Sequence, residues 1–206
     1  MVQSLSAREI NLSYLRENFG LRRNYDSIFF WEWQHDLPIL TSLEKQELDR
    51  IQLGYFNLVE NPPLLENGVK LAIISPILFV AGFYLSPYNI KAEQSISLER
   101  EDEGIIVEGR IDILILNNQF WTVIIESKQL SFSVEEALPQ LLAYLLATPP
   151  PQNLVYGMVT NGADFQFVKL ERQKTNPEYS LSDKFFLGNQ GKQIYQILQI
   201  LKKLAI

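Results

Sequence analysis

Residues 109–129 read GRIDILILNNQFWTVIIESKQ, two strand-like runs that carry charge where a buried strand would carry only apolar residues. The runs flank Asn117-Asn118, a pattern that predicts a β-hairpin. Period-two alternation sorts the side chains. On the first strand Val107, Ile111, Ile113 and Ile115 share one face, and Glu108, Arg110, Asp112, Leu114 and Leu116 share the other. On the second, Val123 and Ile125 point one way, and Phe120, Ile124, Glu126 and Lys128 point the other. A strict two-residue loop at Asn117-Asn118 pairs Asp112 with Val123 and parts the two carboxylates. A three-residue loop through Gln119, or a bulge, pairs Asp112 with Ile124 and unites the polar sets. Burying unpaired carboxylates in the apolar layer costs several kcal/mol, so the slipped register is expected. The charged half of that face then holds Glu108, Arg110, Asp112, Glu126 and Lys128.

Outward from the hairpin, residues 89–99, 105–116 and 119–128 read as successive strands, the first two joined by the charged turn EREDEG. Ser133-Val-Glu-Glu136 opens a helix that runs to 147, with Pro139 predicting an irregular first turn. NLVYGMVT and DFQFVKL follow as strands around an Asn161-Gly162 turn, residues 171–188 read as loop, and 190–204 as a closing helix. Upstream, residues 5–20 are weakly helical and IFFWEWQ, 28–34, is uninformative. Thr41-Ser-Leu-Glu44 is a capping box for a helix to about 59. Pro62-Pro63 separates it from a second helix, 64–83, which Ser75-Pro76 should kink or split. The expected fold class is α/β (α+β), a mixed central sheet flanked by helices.

The chain has 206 residues, 47% of them hydrophobic, enough for one well-packed core. It has no cysteine and a single histidine, His35, which excludes disulfides, thiolate metal sites and a His-rich cluster. The longest apolar run, residues 69–85, contains Lys70 and Ser75-Pro76 and is shorter than the ~20 residues a membrane span needs. With no segment resembling a signal peptide, a cytoplasmic location is expected. A net charge of −6 argues against non-specific coating of nucleic acid, though not against an enzyme that meets phosphates through bound cations.

Metal-assisted phosphodiester hydrolysis fits the charged face. Asp112 and Glu126 supply hard oxygen ligands suited to Mg²⁺, and the Gln129 carbonyl could complete the coordination. Lys128 can orient water or stabilise charge on phosphate oxygens. Gln140 and Tyr144, four apart on the next helix, share one face that could point across this site. The structural alternative pairs Arg110 with Glu126 and Glu108 with Lys128 across the strands, with Gln140 at the surface and Tyr144 half-buried.

GRIDILILNNQFWTVIIESKQ followed by QLLAY resembles the PD-(D/E)xK nuclease superfamily, and most nearly the N-terminal nuclease domain of type I restriction enzyme R subunits. The resemblance covers residues 60–170 and is weak over 1–60. It implies a nuclease core over 61–206 preceded by an N-terminal helical adornment over 1–60. It also implies that Asp112 and Glu126 bind Mg²⁺ or Mn²⁺, that Lys128 is catalytic, and that Gln140 and Tyr144 form the family's QxxxY motif. VTNGADFQFVKL resembles the family's next strand pair. An acidic residue of the first core helix often joins the metal shell, and Glu66 matches it; a first-turn Glu favoured by the helix dipole explains that residue equally well.

The sequence contains no GxxxxGK[ST] loop, so ATP-driven translocation is not expected of it. The function expected is metal-dependent endonucleolytic cleavage of DNA, of a restriction or repair kind. The alternative is a catalytically inactive nuclease-like module that binds nucleic acid or protein. A homodimer, or separately encoded restriction or helicase subunits, are the protein partners to be expected.

Overall fold

The computed structural model describes residues 3–100, 105–172 and 176–205, so most of the turn expected at EREDEG lies outside the described residues. Gln3–Ser6 (β1), Arg22–Arg23 (β2), Tyr88–Arg100 (β3), Ile105–Asn117 (β4), Phe120–Ser127 (β5), Leu154–Thr160 (β6), Asp164–Arg172 (β7) and Pro177–Phe186 (β8) form one mixed sheet. Its order is β1-β4-β5-β6-β7-β8-β2, with β3 also paired to β4. Leu12–Phe19 (α1) and Val134–Leu146 (α5) cover one face. Ser42–Glu60 (α2), the helical run through Glu66–Val69 (α3) and Ser75–Val80 (α4), and Gln193–Leu204 (α6) cover the other. Both faces are therefore apolar cores, and the charged residues collect where the strands end or part. Among the described residues no helix is long and apolar enough to cross a membrane.

Residues 3–60 contribute to both cores and to the sheet. β1 runs parallel to the start of β4, and Leu48 and Tyr55 of α2 are buried beside α4 and α6. The capping box at the start of α2 is present, with the Glu44 backbone N–H donating to Thr41 Oγ1 and the Thr41 N–H to Glu44 Oε2.

The hairpin register differs from the expected one in detail. Asn117 pairs with Phe120 and Leu116 with Trp121, so the turn is Asn118-Gln119, with Asn118 left-handed at φ 55°. Thr122 is then passed over, Ile115 pairs with Val123, and Leu114 rather than Asp112 faces Ile124. That bulge restores the parity that puts Asp112 and Glu126 on one face. The faces along β4 also change. Val107 and Ile111 pack with Leu114 and Leu116, not with Ile113 and Ile115. The pivot lies at Asp112, opposite Glu93, whose backbone is left-handed at φ 54° and whose position the β3–β4 pairing skips.

Two further expectations are corrected, and a third is met in an unexpected form. Residues 177–186 are a strand, not loop; its buried Ser180 and Ser182 hide the alternation, and a register shift between Gln166 and Val168 breaks it. Pro139 sits within a continuous α5 without an irregular first turn, capped by Ser133. The expected break at Ser75-Pro76 takes the form of a π-helical turn, Lys70–Ile74, between α3 and α4. The wider turn accommodates a proline that lacks an N–H and crowds the carbonyl of the preceding turn.

Candidate active site

β3 occupies one edge of β4 along nearly its whole length. The other edge is shared: β1 takes residues 105–108 and β5 takes 113–117. Between them Gly109, Arg110, Ile111 and Asp112 face a fork in the sheet. Tyr144 of α5 fills its root, its hydroxyl donating to the Arg110 carbonyl at 3.0 Å. Gly109 is needed there, because a Cβ would lie 2.6 Å from the Tyr144 ring.

Asp112 stands at the mouth of the fork, 8% exposed. Its Oδ2 accepts from the Ser127 backbone N–H and hydroxyl, both at 2.8 Å, and its Oδ1 accepts from Lys70 Nζ at 2.8 Å. Lys70 Nζ also donates to Glu66 Oε1 at 2.8 Å, one turn earlier in the same helical run. The neighbouring carboxylate, Glu126, is 1% exposed. Its Oε1 accepts from Lys128 Nζ at 2.6 Å, and its buried Oε2 has no hydrogen-bond partner. Lys128 Nζ also donates to Gln140 Oε1 at 3.0 Å, and Gln140 Nε2 donates to Tyr144 Oη at 2.6 Å. A hydrogen-bonded chain thus runs from Glu126 through Lys128, Gln140 and Tyr144 to the backbone of β4.

Burial pushes the Glu126 carboxyl up to about 7; the Asp112 charge adds to this, Lys128 opposes it, and Glu66 adds again. Burial, then the charge of Glu126, pushes the Tyr144 hydroxyl up to about 12, which keeps it a donor. Burial pulls the Lys70 ammonium down, but its bonds to Asp112 and Glu66 outweigh this and hold it above the ordinary lysine value.

The segment after Lys128 is fixed by the Thr160-Asn161-Gly162 turn. The Lys128 N–H donates to the Thr160 carbonyl at 2.9 Å, and Asn161 Nδ2 to the Phe132 carbonyl at 2.8 Å. Gly162 takes φ 88°, where a Cβ would press on Val69 and Ile73 at 3.0 Å.

The cleft has two lobes that meet at Arg8 and Glu66. The larger, about 710 Å³, is lined by Asp112, Lys70, Arg110, Glu108 and Tyr144 among others. The smaller, about 440 Å³, is lined by Lys128, Gln129 and Gln140, with Phe132 and Glu136. Glu126 lies behind Lys128 rather than on the wall.

The cross-strand pairs of the structural alternative are not formed. Arg110 pairs with Glu93 at 3.0 Å, and Glu108 accepts from Ser4 at 2.8 Å. Gln140 and Tyr144 are both buried, at 4% and 1%. The Gln129 carbonyl accepts the Phe132 N–H at 3.0 Å. Arg8, Lys70 and Ser127 escaped the sequence reading. For Lys70 the signal was present, as the only charge in the apolar run 69–85, four residues after Glu66.

Oxygens that could hold a hard divalent cation are those of Asp112, Glu126 and Glu66, with the second lone pair of the Gln129 carbonyl. The bare Oε2 of Glu126 fits such a cation, being a buried acceptor without a donor. Among the described residues, however, no group of three or more His, Cys, Asp or Glu side chains is gathered closely enough to hold a metal ion.

The family described as type I restriction enzyme R protein N terminus matches residues 88–176, a stretch that starts with β3 and takes in all of β7. Over that part, less than half of the chain, the sequence is similar to that family. The match includes Asp112, Glu126, Lys128, Gln140 and Tyr144 and leaves Glu66 and Lys70 outside it. No curated protein matches the chain.

Proposed function

We propose that the protein is a metal-dependent endonuclease that hydrolyses DNA phosphodiesters at the fork between β1 and β5. The observation that carries this reading is the chain Glu126–Lys128–Gln140–Tyr144 anchored beside Asp112. Asp112, Glu126 and Glu66 would hold Mg²⁺ or Mn²⁺, with the Gln129 carbonyl as a further oxygen. When bound, the cation supplies charge neutralisation on the phosphate and a more acidic water. Lys128 lines the smaller lobe, where its ammonium would stabilise negative charge on a phosphate oxygen or orient water. Gln140 and Tyr144 fix the ammonium so that little reorganisation is left for the reaction. Arg8, shared by both lobes, is placed to meet a phosphate backbone. Cutting both strands of a duplex calls for two such sites, which a homodimer or a separate subunit would supply.

A second reading is favoured by one observation: ammonium groups hold Asp112, Glu126 and Glu66, and no tight carboxylate cluster is formed among the described residues. It makes the protein a nuclease-like binding module. Incubation with linear, supercoiled and branched DNA, in Mg²⁺ or Mn²⁺ without ATP, separates the two. Cleavage abolished by EDTA and by Asp112→Ala supports the enzyme. Inactivity with both metals on every substrate, together with a gel shift, supports the module.

A further inference from the structure

Lys70 is a cation at this site that the proposed chemistry leaves without a task. It is the first residue of the π-helical turn, its side chain is 19% exposed, and its ammonium bridges Glu66 Oε1 and Asp112 Oδ1 at 2.8 Å each. Asp112 Oδ2 is already committed to the Ser127 N–H and hydroxyl, so Oδ1 is the oxygen Asp112 has to offer, and Lys70 holds it. The same ammonium holds Oε1 of Glu66, a residue that lines both lobes of the cleft. A divalent cation bridging Asp112 Oδ1 and Glu66 Oε1 and the Lys70 clasp therefore compete for the same atoms.

We propose that Lys70 is a built-in counter-ion that competes with the divalent cation for Asp112 and Glu66 and must release both for the metal to bind. This rests on the nuclease reading of the site. The geometry suits an exchange. Lys70 lines the larger lobe, so its ammonium has open volume to enter once released, on the side where Arg8 and Arg110 also face the cleft. A π turn at its root supplies backbone of the kind often found at functional sites, where the helical ladder is already widened. The clasp also gives these two oxygens a common centre, and that centre is the ammonium: each lies 2.8 Å from Lys70 Nζ. The consequence is a site whose metal affinity is lower than its carboxylates alone would give.

Calorimetric titration with Mn²⁺ tests this on the parent protein, Lys70→Met, and Lys70→Met combined with Asp112→Ala. Removing an ammonium that makes two charge-assisted bonds should tighten Mn²⁺ binding by at least about tenfold. The added Asp112→Ala change should abolish binding. Methionine suits the apolar surroundings of residues 69–85; if circular dichroism shows that variant unfolded, Lys70→Gln carries the same expectation. Unchanged or weaker Mn²⁺ affinity in the neutral variant, with the parent still binding, overturns the proposal and leaves the nuclease reading standing. No Mn²⁺ bound by any variant overturns both.

Discussion

Lys128 meets Glu126 at 2.6 Å, and on another part of the sheet Lys169 meets Glu32 at the same distance. In both pairs the second carboxylate oxygen is buried without a partner. Both have a tyrosine hydroxyl, Tyr144 through Gln140 in one and Tyr156 directly on Glu32 Oε1 at 3.0 Å in the other. Their surroundings differ. Lys169 lies 5.2 Å from the centre of the Phe29 ring, and Glu32 belongs to the short 3-10 turn Trp31–Trp33, so this pair fastens the 26–34 segment to β6 and β7. Glu126 instead has Asp112 and Glu66 as like-charged neighbours, and its lysine borders a cleft. A buried ion pair therefore says little about its purpose. What separates chemistry from fastening is the company it keeps: crowded negative charge beside open volume, against a ring and a closed core.

The largest difference should appear in activity. Glu126→Gln is expected to lower cleavage by a factor of about a hundred to a thousand, the scale of losing a principal charge-stabilising group. Its stability at neutral pH should be no lower than the parent's, because an amide is spared the cost of burying charge among carboxylates. Glu32→Gln should reverse both results, keeping cleavage and losing stability. Equal loss of cleavage in the two variants would make the distinction between the pairs untenable.

Stability gives the next contrast. Lys169→Met leaves Glu32 buried without its cation and should cost about 3–5 kcal/mol in urea unfolding. Combining it with Glu32→Leu removes the stranded charge and should recover most of that loss. A single-variant cost below about 1 kcal/mol, the range of exposed pairs, would show that the pair is not a fastener.

The third contrast is in pH. Glu126 titrates at about 7 in the folded chain against 4.5 as its ordinary value. Between these values the native state holds a proton that the unfolded chain has lost, so stability falls as pH rises through the window. The full swing is on the order of 3 kcal/mol. Urea unfolding in EDTA from about pH 5 to pH 8 should lose this component in Glu126→Gln and keep it in Glu32→Gln. A pH profile unaltered by Glu126→Gln contradicts the raised carboxyl.

Much of the site was legible because its residues break a local pattern. Glu126 and Lys128 interrupt an apolar strand, and Gln140 and Tyr144 lie one helical turn apart, so alternation and helical spacing bring them together. What escaped depends on backbone departures or distant partners. The bulge at Thr122 follows from the left-handed turn at Asn118, which moves the loop by one residue. The exchange of faces at Asp112 follows from Glu93 on the neighbouring strand. Lys70 finds Asp112 only after 42 residues of chain have folded back. The Glu32–Lys169 pair spans 137 residues, and neither member stands out within its own segment. β8 was hidden by serines that face inward, where Phe167 and Gln166 use Ser182 as a hydrogen-bond partner.

The smallest effects should come from the two tyrosines, and they test whether each hydroxyl serves the function assigned to its pair. Tyr156→Phe removes a donor from a buried carboxylate whose other oxygen is already bare, which should cost about 1.5–3 kcal/mol, the range for bonds to charged groups. Cleavage should stay at the parent level, because the loss is confined to the fastening of residues 26–34. Tyr144→Phe removes two bonds between neutral groups, one to the Arg110 carbonyl and one from Gln140 Nε2, and should cost about 1–2 kcal/mol. Its mark should be kinetic: with the hydroxyl gone, Gln140 Nε2 loses its acceptor and Lys128 loses the support that aims it. The rate constant for cleavage should fall by about tenfold with Mn²⁺ affinity unchanged, since neither Tyr144 nor Gln140 offers an oxygen to the proposed cation. Single-turnover cleavage read beside calorimetric Mn²⁺ binding separates these effects. A Tyr144→Phe protein that is destabilised yet cuts at the parent rate would reduce the chain from Lys128 to Arg110 to packing, and the two pairs would then differ only in which part of the sheet they fasten.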